Sequence, residues 1–171
     1  MFKKFYPTIY RDSLEEIDFD ELKKQGYKAL FFDIDNTLVE HDAQANEKAS
    51  AFIKSLLDNG FEVCFISNNH EPRVKDFAEA TGGKYVFDAG KPSGKGYVKA
   101  MEITGSDKES AIAIGDQFFT DIWGANRAGI KSILVKQKGP DPLFEIKLKR
   151  AGEGILKPFY KRYAKKHPGT I

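Results

Sequence analysis

Apolar residues along this chain fall into two alternating patterns. Short continuous runs occupy residues 28–33, 61–67, 84–87, 110–115 and 131–135. The segments between them carry apolar side chains at helical spacing. The clearest places Ala49, Phe52, Ile53, Leu56 and Leu57 at i, i+3, i+4, i+7 and i+8, which predicts an amphipathic helix over 46–59 closed by Gly60. Further helices are predicted over 71–80, stopped by Gly82-Gly83, and over 93–103 and 119–128. Ahead of the first run, Ser13-Leu14-Glu15-Glu16 reads as a capping box opening a short helix. Strands that are apolar throughout, alternating with helices, are those of a parallel sheet covered on both faces. The expected fold is α/β: a doubly wound, mostly parallel, five-stranded Rossmann-like sheet with right-handed crossovers.

In such a sheet ligands bind beyond the carboxyl ends of the strands, and those ends carry the polar groups. The first strand leads into Asp33-Ile34-Asp35-Asn36-Thr37, the second into Ser67-Asn68-Asn69 and the third, through Asp88-Ala89-Gly90, into Lys91. The fourth ends in Gly115-Asp116, with Asp121 five residues on. Carboxylates crowded on one rim repel unless a cation joins them. Carboxylates from separate strand ends suit Mg²⁺, which takes one or two of them together with phosphate oxygens. An Asp can also act as nucleophile and form an aspartyl-phosphate, and a second Asp two residues on can move the proton. Ser67 suits phosphoryl oxygens, and a rim lysine offsets their charge.

Asp33-Ile-Asp35-Asn-Thr37, Ser67-Asn68, Lys91-Pro92 and Gly115-Asp116 through Asp121 resemble the four motifs of the haloacid-dehalogenase (HAD) superfamily of phosphatases, over roughly residues 8–150. The fuller strings around them resemble the small capless (IIIA) family that includes mitochondrial and bacterial phosphatidylglycerophosphate phosphatases. The resemblance implies that Asp33 is the nucleophile and Asp35 the general acid/base. It implies that Asp33, the Asp35 carbonyl and Asp116 bind Mg²⁺, that Ser67, Asn68 and Lys91 meet the phosphate, and that Thr37 and Asp121 support the site. Asp121 is open to a second reading, as an acid stabilising a helix N-terminus. Asp35 and Asn68 lie 33 positions apart and 23 residues separate Ser67 from Lys91, so no cap domain fits between the motifs. By resemblance, members without a cap act on large or surface-held substrates.

Charge changes this picture at the end of the chain. Residues 1–135 hold 17 basic and 22 acidic side chains, a net −5, whereas residues 136–171 hold 10 and 3, a net +7. By the extent of the resemblance, the chain of 171 residues divides into a HAD-like domain, 1–150, and a basic aromatic extension, 151–171. In the extension Ile155, Leu156, Phe159, Tyr160 and Tyr163 form a stripe flanked by Lys157, Lys161, Arg162, Lys165 and Lys166. Such a pattern lies on anionic membranes. The aromatics are expected to pack on the body and the lysines to face lipid, with Pro158 starting or breaking any helix. Phe2, Lys3, Lys4, Phe5, Tyr6 and Tyr10 make a similar cluster, and no nucleic-acid-binding motif accompanies either.

No apolar run approaches the roughly 20 residues of a membrane span, and no signal peptide is evident. The expected location is cytoplasmic, peripheral on the inner face of the membrane. The single Cys64 reads as a core residue, His41 and His70 as loop histidines near the rim, and Asn69 and Arg73 as candidate substrate contacts. Three functions follow. The first is a Mg²⁺-dependent phosphatase on phosphatidylglycerophosphate, an anionic phospholipid; the second is the same chemistry on a soluble, protein or nucleic-acid phosphomonoester. The third is a non-catalytic phospho-accepting receiver-like module, against which the Asp33/Asp35 pair after the first strand counts.

Overall fold

The computed structural model of the chain describes residues 2–140 and 144–166, so residues 167–171 of the extension lie outside the described ones. Its strands are β1 (Ile9–Arg11), β2 (Ala29–Phe32), β3 (Glu62–Ile66), β4 (Lys84–Val86), β5 (Ala111–Gly115) and β6 (Lys131–Val135). Its α-helices are α1 (Phe19–Lys24), α2 (Glu47–Asp58), α3 (Glu71–Thr81), α4 (Lys95–Thr104), α5 (Trp123–Ala128) and α6 (Phe144–Lys166). The strands form one sheet in the order β1-β6-β5-β2-β3-β4, and every pairing is parallel. From β2 the chain winds outward through β3 and β4, then returns to the other side of β2 for β5 and β6. The crevice between β2 and β5 is thus the switch point where doubly wound sheets bind ligands.

The expected α/β fold is present, with six strands rather than five. The additional strand, β1, is a three-residue edge strand in which Ile9 alone is fully buried, too little for a hydrophobic pattern to announce. Alternating residues of the central strands feed two cores. Leu30, Phe32, Val63, Phe65, Ile112 and Ile114 point to α2 and α3, which supply Ile53, Leu56, Val74 and Phe77. Phe31, Cys64, Ile66 and Ala113 point to α4 and α5, which supply Tyr97, Ala100 and Ala125. Each fully buried phenylalanine contributes about 1.5–3 kcal/mol. Cys64 is core as expected, and burial pushes its thiol up to about 12. Gly83 has a packing reason: a Cβ there would lie 2.5 Å from the Phe65 ring.

Three local expectations are corrected. Ser13 makes no side-chain cap; residues Leu14–Glu16 form one 3₁₀ turn, and the helix that follows is capped by Asp18, which accepts from the Glu21 N–H at 2.8 Å. The segment expected as a helix over 119–128 opens with a π-helical turn, Phe118–Ile122, before α5; such turns recur at functional sites. Pro158 neither starts nor ends α6 but sits inside it. The inward face of α6 carries Leu156 and Tyr160, buried against Phe118, Ile122 and Leu134, with Tyr163 packed beside them; Tyr160 and Tyr163 thus pack on the body as expected, whereas Phe159 does not, because its position on the helix turns it to the surface, 50% exposed. Glu153 is buried beside them and accepts a 2.9 Å hydrogen bond from the Phe118 N–H, tying α6 to the loop after β5. Among the described residues no helix is long and apolar enough to cross a membrane.

Candidate active site

The ends of β2, β3 and β5 lie level, because Phe32 is in register with both Phe65 and Ile114. The next residues therefore emerge together at the switch point. After β2 the chain makes a tight loop in which the Asn36 N–H donates to Val39 O at 2.7 Å. Asn36 holds a left-handed φ of 65°, which asparagine tolerates better than most side chains. The loop projects Asp33 and Asp35 into an open cleft of about 370 Å³ that Ser67, Asn68, Lys91, Gln117 and Thr120 also line.

At the foot of the cleft Lys91 Nζ donates to Asp33 Oδ1 and to Asp121 Oδ1, both at 2.6 Å. Asp121 also accepts from the Gln117 N–H at 3.0 Å through Oδ2. Its placement as a buried partner of Lys91 goes beyond a dipole-stabilising acid at a helix start. Thr37 Oγ1 donates to Asp116 Oδ1 at 3.2 Å and fixes that carboxylate. Carboxylate oxygens of Asp33, Asp116 and Asp121 lie within 4.8 Å of one another. Three hard oxygen donors at that spacing fit Mg²⁺. Asp121 joins Asp33 and Asp116 in this side-chain cluster, beside the set of Asp33, Asp116 and the Asp35 carbonyl that the resemblance implies.

Electrostatics follow from burial. Burial pushes the Asp33 carboxyl well above the usual carboxylate range; Lys91 opposes this, and Asp121 and Asp116 reinforce it. A divalent cation among the three would cancel their repulsion. Burial alone would lower Lys91, but the Asp121 and Asp33 carboxylates outweigh it and hold the ammonium's pKa well above its ordinary value. Lys91 is therefore a fixed positive charge.

Backbone hydrogen bonds aim the remaining groups. Ser67 Oγ accepts from the Asn69 N–H at 3.0 Å, which leaves its own proton to donate. The Asn68 amide grips the Lys91 backbone from both sides, donating to Lys91 O at 3.0 Å and accepting from its N–H at 2.7 Å. Its side chain, expected on the phosphate, thus positions Lys91. Gly115 makes room for Asp121, since a Cβ there would lie 2.5 Å from the Asp121 Cβ. Gly115→Ala is expected to displace Asp121, to cost about 1–3 kcal/mol through overpacking and to lower turnover, measured by thermal melting and phosphate release.

Sequence reasoning missed Asp42, which lines the cleft beside the expected rim histidine His41, with His41 Nε2 3.4 Å from Asp42 Oδ2. His70 stands outside it, exposed beside Asp88. Arg73 takes a role no local pattern announces. Its Nη2 donates to Asp35 Oδ1 at 3.2 Å and to Ala43 O at 2.6 Å, while the Asp42 N–H donates to the same Asp35 oxygen at 2.9 Å. Arg73 Nε and Nη1 are buried without a hydrogen-bond partner. Arg73→Met should free the Asp35 carboxylate and lower kcat by about ten- to a hundredfold. Loss of the ion pair to Asp35 and of the bond to Ala43 O should also lower the melting temperature, so kcat is compared at a temperature where both proteins are folded; a mutant equal to wild type in kcat would remove Arg73 from the reaction.

Comparison with known proteins agrees with this geometry. A family model described as haloacid dehalogenase-like hydrolase matches residues 39–129. The probable phosphatase YqeG of Bacillus subtilis is 37% identical over 79% of this chain and 80% of its own length. Phosphatidylglycerophosphate phosphatase 1 of Chlamydomonas reinhardtii (chloroplastic) is 26% identical over 76% of this chain, and that of Arabidopsis thaliana (chloroplastic/mitochondrial) is 26% identical over 91%. The chain spans about half the length of these two, 52% and 48%. Among solved structures, the cobalt-bound deoxy-D-mannose-octulosonate 8-phosphate phosphatase of Haemophilus influenzae shares the fold at a TM-score of 0.52 and 17% identity, covering 68% of this chain and 82% of its own. A match across more than half the chain, together with a phosphatase relative at 37% identity over most of both lengths, means that this protein belongs to the haloacid dehalogenase-like hydrolases and is a phosphatase.

Proposed function

We propose that the chain is a Mg²⁺-dependent phosphomonoesterase that works through an aspartyl-phosphate on Asp33 and converts phosphatidylglycerophosphate to phosphatidylglycerol at the inner, cytoplasmic face of a membrane. The observation that carries the chemistry is the bridge from Lys91 to both Asp33 and Asp121, 2.6 Å each, at the foot of an open cleft. An Asp33 oxygen attacks phosphorus as the ester P–O bond breaks, and Asp35 gives its proton to the departing alkoxide. The Asp35 carboxylate then takes a proton from water as that water's oxygen attacks the phosphoaspartate. Inorganic phosphate leaves, and the Asp33 carboxylate and the Asp35 proton are restored. Ser67 donates to a phosphoryl oxygen, and Lys91 offsets the charge that builds on the others. Asp33, Asp116 and the Asp35 carbonyl would hold Mg²⁺, which supplies further positive charge to the phosphoryl oxygens when bound.

The lipid assignment has three supports. Both phosphatidylglycerophosphate phosphatases above align over most of this chain. The cleft is open, and among the described residues no inserted domain covers it, so a headgroup can enter while its acyl chains stay in a bilayer. The chain's last 36 residues carry a net charge of +7, from 10 basic and 3 acidic side chains. Phosphate release from phosphatidylglycerophosphate in mixed micelles, measured beside a panel of soluble phosphomonoesters, tests the assignment. Lipid turnover far above the panel, lost on chelation of Mg²⁺, is the expected result. Turnover of soluble esters alone would discard the lipid and keep the chemistry. A stable phosphoryl group on Asp33 without turnover would favour the receiver-like module.

A further inference from the structure

We infer that Phe2, Ile155 and Phe159 form a membrane anchor, an apolar wedge that enters the interface of an anionic bilayer while the surrounding lysines meet lipid phosphates. This inference rests on the membrane-surface reading above and gives it a docking face. Ile155 and Phe159 are 64% and 50% exposed and stand one turn apart on α6, about 100° around the helix from the buried Leu156 and Tyr160. The ring of Phe2, 36% exposed, lies 5.6 Å from that of Phe159, so two distant segments build one patch. The other large apolar side chains exposed among the described residues, Val98 and Ile103, lie on α4. An apolar cluster left exposed on a helix whose neighbouring stripe is already packed marks a contact surface.

The charge around the patch selects the partner. Lys3 and Lys4 follow Phe2 in the chain, and Arg162 and Lys166, seven residues on from Ile155 and Phe159, share their helix face; all four are exposed. Residues 2–6 contain no acid, and the one acid between 151 and 166, Glu153, is buried. An apolar apex ringed by cations complements a surface with anionic phosphates over hydrocarbon. A second copy would bring the same cations together in a two-fold contact. A nucleic acid would match the charge but gain no stacking from Ile155. The patch is also tied to the site. Glu153, two residues before Ile155, holds the Phe118 N–H, and Gly152 packs against the Phe119 ring. The turn that begins at Phe118 carries Thr120 and Asp121, and Thr120 lines the cleft. A bilayer on this face lies beside the loop that completes the active site.

Flotation of the full chain with vesicles of phosphatidylcholine, with and without phosphatidylglycerol, tests the anchor. Wild type should float with the anionic vesicles. Ile155→Ser/Phe159→Ser should weaken partitioning by about tenfold or more, and Arg162→Gln/Lys166→Gln by about fivefold per charge removed. Hydrolysis of soluble p-nitrophenyl phosphate should be unchanged in both. A Phe159→Cys variant carrying a polarity-sensitive dye gives a second readout, because Cys64 is buried; its emission should shift to the blue with anionic vesicles. Equal flotation of wild type and the serine variant, or no shift from the dye, overturns the anchor. So does self-association or RNA binding that the serine substitutions abolish while wild type fails to float. Flotation through the patch without turnover of phosphatidylglycerophosphate keeps the anchor and removes the lipid substrate. Turnover of that lipid in micelles without flotation does the reverse.

Discussion

Asp33→Asn should lower phosphate release from any good substrate on the order of ten-thousandfold while leaving the fold intact, because an amide oxygen is a poor nucleophile where a carboxylate is a good one. The geometry makes the substitution structurally mild. Asn keeps a carbonyl oxygen where Asp33 Oδ1 accepts from Lys91 at 2.6 Å, and Lys91 keeps its equally short contact with Asp121. It also removes one of three carboxylates whose oxygens lie within 4.8 Å. In chelator, relief of that crowding should hold the mutant's melting temperature at or above that of wild type, by about 2–4 °C per kcal/mol gained for a chain of this size. In Mg²⁺ the order should reverse. A cation that binds only the folded state stabilises by about 2.7 kcal/mol at a hundred times its dissociation constant, and the mutant has lost one of its ligands. Calorimetry in both conditions beside a phosphate-release assay separates the two effects. Retained turnover in the mutant would place the nucleophile elsewhere.

The central strands and the rim of the site were legible in the sequence for one physical reason. Strands buried on both faces must be apolar throughout, so Ala29–Phe32 and Ala111–Gly115 stand out, and so do the polar residues that end them. Asp33, Ser67, Lys91 and Asp116 were found because such ends converge in a parallel sheet. The edge strand Ile9–Arg11 was not found, because one buried side chain makes no pattern. Propensity alone makes Pro158 a helix breaker, yet packing of Leu156 and Tyr160 on the body carries α6 through it. The Arg73–Asp35 contact and the grip of Asn68 on Lys91 join residues 38 and 23 positions apart. Their partners are set by how α3 and the cleft loops meet, and no local spacing encodes that. Ile155 and Leu156, neighbours in sequence, were read as one stripe, but one is 64% exposed and the other buried. Only the rotation of α6 against β6 and the Phe118 turn separates an anchor from a core residue.

Lys91→Met carries the second large effect, this time on stability. Lys91 is buried, and its ammonium is the cation that both Asp33 and Asp121 contact. Methionine fills a similar volume but leaves two buried carboxylates facing each other. Breaking a buried ion pair from one side costs about 3–5 kcal/mol, which for a chain of this size lowers the melting temperature by roughly 6–20 °C. Turnover should fall with it, since the charge on the transferring phosphoryl group loses its fixed counterpart. Lys91→Met/Asp121→Asn separates the two roles. Removing one of the stranded carboxylates should restore most of the stability, a coupling of about 0.5–3 kcal/mol between the sites, and none of the activity. The deficit of the single mutant should also shrink as pH falls. A carboxyl whose pKa is raised in the folded state binds its proton more tightly there than in the unfolded chain, so protonation favours folding. A Lys91→Met protein that melts and turns over like wild type would show that the ammonium balances neither carboxylate nor phosphate. A double mutant that regained activity would move the lysine's role from chemistry to folding.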